Sequence, residues 1–299
     1  IMILKPAGIQ AYTLLTIQGA VWGSSFQAIK YALDGFGPMT ISAGRILIAA
    51  LVLLAYALMK GDRLPRSPCV WMNFLLIGFF SCALPFFLIP WGEQTLDSGR
   101  ASIFMATSPL IAIVLAYFTS NNEQITGYKA LGFIIGFIGV LFVIGLDTFD
   151  SGVGELLPQL AIIVAAASYV VSGAMVKQMK GVSSAMLAAG VLLGGCLVTV
   201  PASLLLENPL ADVANVSDSA IIALVYLGLV PTGAAFFVRF YLIRVYGYTF
   251  IAQVGYLVPL FSVLFGAVLL DETLTISMFV GLLLIFGGIM ISRRGAKHS

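Results

Sequence analysis

The residues of this sequence best suited to bind a small solute are isolated polar and aromatic side chains within long apolar runs. Gln18, Trp22 and Ser25 are four and three residues apart, so a helix would place them on one face. That face would offer an amide, an indole N–H and a hydroxyl, each able to hydrogen-bond a solute. Further candidates in other runs are Phe26, Met105 with Ser108, Tyr169 with Ser172, Thr232 with Phe236, and Gln253 with Tyr256. We expect these residues to line a shared substrate-binding cavity; hydrogen bonding between helices is the alternative explanation for any single face.

Groups that commonly carry catalysis are sparse in the apolar runs. The single histidine, His298, lies in the C-terminal tail, and Cys69, Cys82 and Cys196 have no C-x-x-C spacing. No acidic residue lies in the middle of a run, and Glu93 lies nearest, close to the end of one. No metalloprotease, serine-hydrolase or phosphate-loop motif occurs. We therefore predict no enzyme, no catalytic residue, no metal and no cofactor, and keep a membrane enzyme or a structural subunit as alternatives.

Three arginines lie in or near the apolar runs and are the candidate partners of an anionic group. Arg239 and Arg244 can extend along the helix surface to water. Arg45 lies about two helical turns inside its run, where it could pair with a substrate carboxylate or bridge to a helix C-terminus. The aromatic candidates suit a zwitterion with a bulky apolar side chain, or a flat lipophilic cation. They suit a sugar phosphate poorly, because phosphate favours clustered Lys and Arg.

The composition places these side chains in a membrane. Of 299 residues, 60% are hydrophobic and 9% are charged, and the mean hydropathy is +1.06. Soluble domains carry roughly 25% charged residues. This excludes an ordinary cytosolic enzyme, a nucleic-acid-binding protein and a disordered chain. The expected partners are the lipid bilayer and a small-molecule substrate, with no nucleic acid, and a monomer is favoured although the sequence does not fix the oligomeric state.

Apolar runs of about 20 residues predict ten transmembrane helices. The predicted spans cover residues 9–31, 38–59, 69–92, 98–119, 128–146, 156–177, 183–206, 219–243, 247–269 and 275–292. Twelve of the 15 Lys and Arg flank the spans on one side, whereas Lys30 and Arg100 lie on the other and Arg45 lies within a span. Basic residues favour the cytoplasmic side, so an even number of spans predicts a multi-pass protein with both termini in the cytoplasm.

The two halves of the chain repeat each other. With an offset of 149 or 150 residues, the matched pairs are Pro109 with Pro259, Glu123 with Glu272, Thr126 with Thr275, Gly132 with Gly281, and Gly139 with Gly288. We predict a first repeat over residues 1–148 and a second over 149–299. Five spans in each make the repeats inverted, as in transporters that open alternately to either face. The alternative to a transport role is that the duplication of the two halves serves stability alone.

Several of the repeated residues have two possible roles. Pro109 and Pro259 are predicted hinges beside a central site, although a kinked packing surface would also explain them. Glu123 and Glu272 could form a gate or an ion site. We favour a structural role, because a carboxylate before a helix start can accept its free backbone N–H groups. Small-xxx-small pairs are predicted to allow close helix packing within one bundle, with a dimer face as the alternative: Gly19 with Gly23, Gly132 with Gly136, and Gly190 with Gly194.

These segments resemble a known transporter superfamily. Trp22-Gly-Ser-Ser-Phe is similar to the W-G-x-x-F signature of the drug/metabolite transporter superfamily. The segments Pro109…Glu123-x-Ile-Thr and Pro259…Glu272-x-Leu-Thr resemble its paired EamA-type domains. The first repeat departs from the second by having Asn121-Asn122 where the second has Leu270-Asp271.

The resemblance covers nearly the whole chain and implies an all-α membrane protein. Its ten helices would form two inverted five-helix repeats around a central cavity. The implied activity is metabolite export across the bacterial inner membrane by alternating access, and the chain looks most like the YddG group of aromatic amino-acid exporters. A sugar-phosphate or nucleotide-sugar carrier of the same superfamily is the alternative.

Overall fold

The computed structural model describes residues 8–119, 127–144, 153–176, 179, 181–209, 216–246, 248–251 and 253–295. Every regular element within these ranges is helical. The α-helices are α1 Ile9–Leu33, α2 Pro38–Met59, α3 Pro68–Gly78, α4 Leu84–Glu93, α5 Ser98–Met105, α6 Ser108–Thr119, α7 Gly127–Ile144, α8 Val153–Val176, α9 Ser184–Leu206, α10 Asp218–Leu227, α11 Ala235–Tyr246, α12 Tyr248–Ile251, α13 Val254–Leu269 and α14 Ile276–Gly295. The π-helical segment Phe79–Ala83 joins α3 to α4, and a second, Gly228–Ala234, joins α10 to α11.

The lengths and exteriors of these helices suit a bilayer. Within the described ranges, five helices are long and apolar enough to cross a membrane. They are Pro38–Met59, Pro68–Glu93, Leu156–Val176, Ser184–Leu206 and Asp218–Leu242, and the shorter apolar helices are Ala130–Ile144, Val254–Leu269 and Ile276–Ile291. Large apolar side chains such as Ile222 and Leu283 are exposed on the outside of the bundle. Lipid is the solvent that would cover such a surface.

The helices overlap the predicted spans, with ends that differ by at most three residues, but two spans contain breaks that were not predicted. The span 98–119 is interrupted at Ala106 and Thr107, between α5 and α6. Pro109 therefore occupies the second position of α6, where a missing N–H is tolerated. The span 247–269 is similarly divided between α12 and α13, whereas Pro259 lies inside α13.

Helices α2 and α9 pack against each other, with acidic residues joining both ends of the pair. At one end, the carboxylate of Glu207 accepts hydrogen bonds from the backbone N–H of Met39 at 2.9 Å and of Thr40 at 2.7 Å. At the other end, Asp62 accepts a hydrogen bond from the hydroxyl of Ser183, the residue before α9. Each acid follows one helix and reaches the start of its neighbour, where backbone N–H groups lack partners within the helix.

Glu272 makes a similar contact, although not with the helix that the sequence suggested. Its carboxylate accepts hydrogen bonds from Ser98 N at 2.7 Å and Gly99 N at 3.0 Å, at the start of α5. The expectation that it caps the helix directly following it, α14, is therefore wrong as to partner, because α5 lies closer to the carboxylate than the start of α14 does. The hydroxyl of Thr275 accepts from the backbone N–H of Met278 in α14. Glu123 and Thr126 lie outside the described residues.

Glycines allow the closest helix contacts. Helices α7 and α14 meet where Gly288 lies against Gly132 and Gly136, so this small-residue pair packs within one bundle as predicted. Gly190 and Gly194 of α9 lie against Phe74 of α3 in the same manner. These contacts bring the backbones of α7 and α14, and of α3 and α9, close together and hold these helices around the centre of the bundle.

Candidate functional site

A cavity of about 320 Å³ lies at the centre of the bundle. Its wall is formed by α1, α2, α4, α5, α6, α8, α11, α12 and α13, together with Pro231 of the second π-helical segment. The lining side chains are mostly apolar and aromatic. A cavity with this lining and a few polar groups has the character of a small-molecule site.

Most of the predicted substrate-binding residues meet at this cavity. Those that line it are Trp22, Ser25, Phe26, Met105, Ser108, Tyr169 and Phe236, and the two predicted hinge residues, Pro109 and Pro259, also line it. They come from helices far apart in sequence, and the fold brings their faces together.

Three of the predicted substrate-binding residues do not line the cavity. They form hydrogen bonds with neighbouring backbone or side-chain groups instead. Gln18 is buried, and its Nε2 donates to the carbonyl of Ala235 at 3.1 Å. Ser172 is also buried and donates to the carbonyl of Tyr169 in its own helix. Thr232 is fully buried and bonds to Arg45, as described below. The contacts of Gln18, Ser172 and Thr232 are therefore structural hydrogen bonds, which were the alternative to lining the cavity.

The last two predicted residues also lie outside the cavity wall. Gln253 is half-buried directly before the start of α13. Tyr256 packs its ring against that of Phe286, with 5.2 Å between the ring centroids. Neither of them lines the cavity, and the lining residues of α12 and α13 are Ile251, Val254, Gly255, Val258 and Pro259.

The serine hydroxyls of the wall offer acceptor oxygens. Ser25, Ser102 and Ser108 each donate to the backbone carbonyl three residues earlier, at 2.7 Å in all three cases. A hydroxyl has one proton and two lone pairs. Because the proton is already used, the oxygens of Ser25 and Ser108 can accept a hydrogen bond from a solute, whereas Ser102 is fully buried.

Trp22 links the cavity to the second π-helical segment. Its indole Nε1 donates to the carbonyl of Pro231 at 3.0 Å. Pro231 has no N–H to donate to the preceding turn, and there the Thr232 hydroxyl donates to the carbonyl of Leu227, so the indole bond adds a link between α1 and this segment. The guanidinium carbon of Arg239 lies 6.0 Å from the Trp22 ring centroid and 5.8 Å from that of Phe236.

Arg45 is a charged residue of the wall, and the sequence left open whether it pairs with a substrate carboxylate or bridges to a helix C-terminus. Its side chain is 3% exposed, and Nε donates to the Thr232 hydroxyl at 3.0 Å. The Thr232 hydroxyl in turn donates to the carbonyl of Leu227 at 2.7 Å. The guanidinium carbon lies 3.9 Å from the centroid of the Phe86 ring. A lone arginine inside an apolar run was the signal in the sequence.

Other lining residues were not among the predicted binding residues, because most are ordinary members of apolar helices and Arg239 was expected to extend to water. They are Ile29, Phe86, Ile89, Ser102, Ala106, Ala112, Val170, Pro231, Arg239, Ile251, Val254, Gly255 and Val258. In a membrane protein both the outer and the inner faces of a helix are apolar, so periodicity does not distinguish them.

A layer of hydrogen bonds joins α1, α5 and α13 beside the cavity. Gln27 Nε2 donates to the Ser98 hydroxyl at 2.8 Å and to the Ser262 carbonyl at 2.9 Å. Nearby, Lys30 Nζ donates to the backbone carbonyl of Glu93 at 2.7 Å, and the Glu93 side chain is fully buried. This polar layer holds the three helices together at the end of the bundle where Glu272 caps α5.

The chain is similar to bacterial transporters along most of its length. It is 26% identical to the uncharacterized transporter YoaV of Bacillus subtilis (strain 168), covering 91% of this chain and 92% of that protein. It is 25% identical to the "Probable amino-acid metabolite efflux pump" of Escherichia coli (strain K12), covering 93% and 92%. It is 27% identical to an S-adenosylmethionine/S-adenosylhomocysteine transporter of Chlamydia muridarum (strain MoPn / Nigg), covering 96% and 92%.

A solved crystal structure has the same fold. It aligns with a TM-score of 0.69 over 97% of this chain and 99% of that chain, at 19% sequence identity. The EamA-like transporter family matches residues 10–145 and 156–294. The match covers most of the chain and confirms the resemblance to the EamA-type domains of the drug/metabolite transporter superfamily. This chain is a multi-pass membrane protein that belongs to the EamA-like transporter family.

Proposed function

We propose that this chain exports amino acids with aromatic or hydrophobic side chains, and related small metabolites, by alternating access. The observation that carries the proposal is the central cavity, where the rings of Trp22, Phe26 and Tyr169 surround a space that also has hydroxyl acceptors. Aromatic rings bury a large apolar area of a bound side chain, and the few polar groups orient its charged end. Transport without catalysis, by a monomer and without a cofactor, is part of the proposal.

The proposed architecture is ten spans in two inverted repeats, residues 1–148 and 149–299. In support, the two π-helical segments begin at Phe79 and Gly228, and this offset of 149 residues also pairs Glu123 with Glu272. The reciprocal contacts of Glu207 with α2 and of Asp62 with Ser183 are those that a twofold relation would produce. The separate family matches to 10–145 and 156–294 agree with two repeats.

The proposed location is the bacterial inner membrane, with both termini in the cytoplasm. The distribution of Lys and Arg supports this orientation. It places the polar layer of Gln27, Ser98 and Ser262 on the outer side of the cavity. In alternating access, these hydrogen bonds would break when the outer side opens.

The name of the Escherichia coli efflux pump supports amino-acid metabolites as the substrate class. Membership of the YddG group of aromatic amino-acid exporters is part of this proposal and rests on the aromatic lining of the cavity. A sugar-phosphate carrier is the alternative, because Arg45 and Arg239 line the described wall and a guanidinium group also binds phosphate.

Counterflow in liposomes tests transport directly. The purified chain is reconstituted in vesicles loaded with L-phenylalanine or L-tryptophan, and uptake of the labelled amino acid is measured with and without a proton gradient. We expect uptake that depends on the internal amino acid. Empty vesicles are the control, and flux no greater than theirs, from protein that elutes as a folded species, would contradict the proposed function.

Trp22 should determine the preference for aromatic substrates. Replacing Trp22 with alanine removes a ring of the cavity wall and the hydrogen bond to Pro231. Stacking between aromatic rings contributes about 0.5–1.5 kcal/mol beyond buried area, so we expect transport of L-tryptophan relative to L-alanine to fall by about tenfold. Trp22→Phe should retain most of the preference.

The matched control is Trp91→Ala, since Trp91 is half-buried and lies outside the wall. The measurement is the ratio of initial counterflow rates for the two amino acids. An unchanged ratio in Trp22→Ala would remove Trp22 from the substrate site.

A further inference from the structure

We propose that Arg45 binds the carboxylate of the transported solute, and that the cavity therefore selects carboxylic acids and amino acids over amines. This inference rests on the proposed function and names the chemical class of its substrate. It follows from the burial of Arg45, from the charges of the cavity wall, and from the contacts that fix the guanidinium.

Arg45 is a buried cation without an ion-pair partner in the part of the chain that the structure describes. Its side chain is 3% exposed, and one of the five guanidinium N–H donors is used by Thr232. Glu93 does not line the cavity, and the ammonium of Lys30 donates to its backbone carbonyl at 2.7 Å. A buried charge is costly unless it is paired and hydrogen-bonded. A substrate carboxylate in the cavity would provide that pairing.

The charges of the wall have one sign. Arg45 and Arg239 both line the cavity, and no Asp or Glu does so among the described lining residues. An amine without a carboxylate would be placed between two cations with no counter-charge. The lipophilic cation considered from the sequence is therefore disfavoured. The ammonium group of an amino acid can still bind the acceptor oxygens of Ser25 and Ser108 once its carboxylate is held.

The guanidinium is held in a fixed orientation. Phe86 lies against it, with 3.9 Å from the guanidinium carbon to the ring centroid, and Thr232 binds its Nε. Thr232 lies within the second π-helical segment and is itself fixed by its bond to the carbonyl of Leu227, the last residue of α10. A planar guanidinium that is held on its Nε side can present its remaining N–H groups to two carboxylate oxygens. Lysine has one point charge and lacks this geometry.

Binding of four compounds that share a phenylethyl group tests the proposal on the purified full-length chain. The compounds are L-phenylalanine, 3-phenylpropionate, 3-phenylpropionamide and phenethylamine, with dissociation constants from calorimetry or thermal shift. We expect the two carboxylates to bind at least tenfold more tightly than the neutral amide, and the amine to bind most weakly. Phenyl phosphate is included to compare a second anion.

Substitution of Arg45 identifies the group responsible. Arg45→Gln should remove the difference between 3-phenylpropionate and its amide, while binding of the amide is retained. Arg45→Lys should give an intermediate preference, because it keeps the charge and loses the paired N–H donors. Arg63→Gln is the control, since Arg63 is an exposed cation outside the wall and its loss should leave the preference unchanged. If Arg45→Gln does not fold, Arg45→Lys and the compound series still decide the question.

Each outcome has one interpretation. Equal binding of phenethylamine and 3-phenylpropionate by the unmodified chain would overturn the inference and leave aromatic transport standing. Full preference for the carboxylate in both Arg45 variants would also overturn it. Phenyl phosphate bound tenfold more tightly than 3-phenylpropionate would replace the carboxylate with a phosphate as the preferred group. No binding of any compound would contradict the proposed function itself.

Discussion

Replacing Gly288 with alanine is expected to destabilise the folded chain by about 3 kcal/mol, at the upper end of the range for overpacked sites. A Cβ at this position would lie 2.3 Å from the carbonyl oxygen of Gly132 and 2.6 Å from the backbone nitrogen of Gly136. Both are backbone atoms of α7, so they cannot move aside as a side chain would. Helices α7 and α14 would have to separate along a tightly packed contact.

The neighbouring Gly287→Ala variant is a matched control. A Cβ on Gly287 meets nothing within 4 Å. Both substitutions gain the same helix propensity, about 0.5–1 kcal/mol, so their difference isolates the clash. We expect Gly287→Ala to unfold at or slightly above the temperature of the unmodified chain, and Gly288→Ala well below it, in detergent thermal unfolding. Equal midpoints for the two variants would show that the α7–α14 contact is not as close as described.

Replacing Glu272 with glutamine is expected to destabilise the chain by about 2 kcal/mol. The carboxylate accepts two hydrogen bonds, from Ser98 N and Gly99 N, and places a negative charge at the start of α5. Hydrogen bonds to a charged group contribute about 1.5–3 kcal/mol, and a negative charge at a helix N-terminus adds further stability. Glutamine keeps one acceptor oxygen, so it loses one bond and the charge while preserving the shape of the side chain.

The adjacent Asp271→Asn variant is the control for Glu272→Gln. Asp271 is exposed and has a φ of 52°, a left-handed conformation that asparagine also adopts readily. The Asp271→Asn substitution removes one negative charge, as Glu272→Gln does, without removing the contact between Glu272 and α5. We expect its unfolding midpoint to stay close to that of the unmodified chain. If both variants lowered the midpoint equally, the effect would come from net charge and not from the bonds to Ser98 and Gly99.

The positions of the helices were predictable because lipid imposes a simple requirement on the sequence. A helix that crosses a bilayer needs about 20 apolar residues, and charges and Pro/Gly clusters mark its ends. The breaks at Ala106 and Thr107 and the π-helical segments were not predicted. They change the hydrogen-bond pattern within an apolar run and leave its hydropathy unchanged, so the sequence carries little signal for them.

The cavity was predictable in part for a related reason. Trp22 and Ser25 stood out as polar groups in an apolar run, and both line the cavity. Gln18 and Thr232 stood out equally, but the structure uses them to join helices. A polar residue in lipid must have a partner, and the sequence alone does not say whether that partner is another helix or a solute. The contact of Glu272 with α5 depends on tertiary proximity and likewise lay beyond the sequence.

The acids Glu207 and Glu272 also constrain the order in which the molecule can be completed. Both lie late in the chain, whereas the helix starts that they bind, in α2 and α5, are made early. A polypeptide is synthesised from its N-terminus. The backbone N–H groups at the starts of α2 and α5 therefore face water or lipid headgroups until Glu207 and Glu272 are made. The early helices can enter the bilayer but reach their final stability only after translation passes Glu272. A truncated chain that ends before Glu207 would leave the backbone N–H groups at both helix starts without their carboxylate partners. We expect membrane proteases to degrade such a chain.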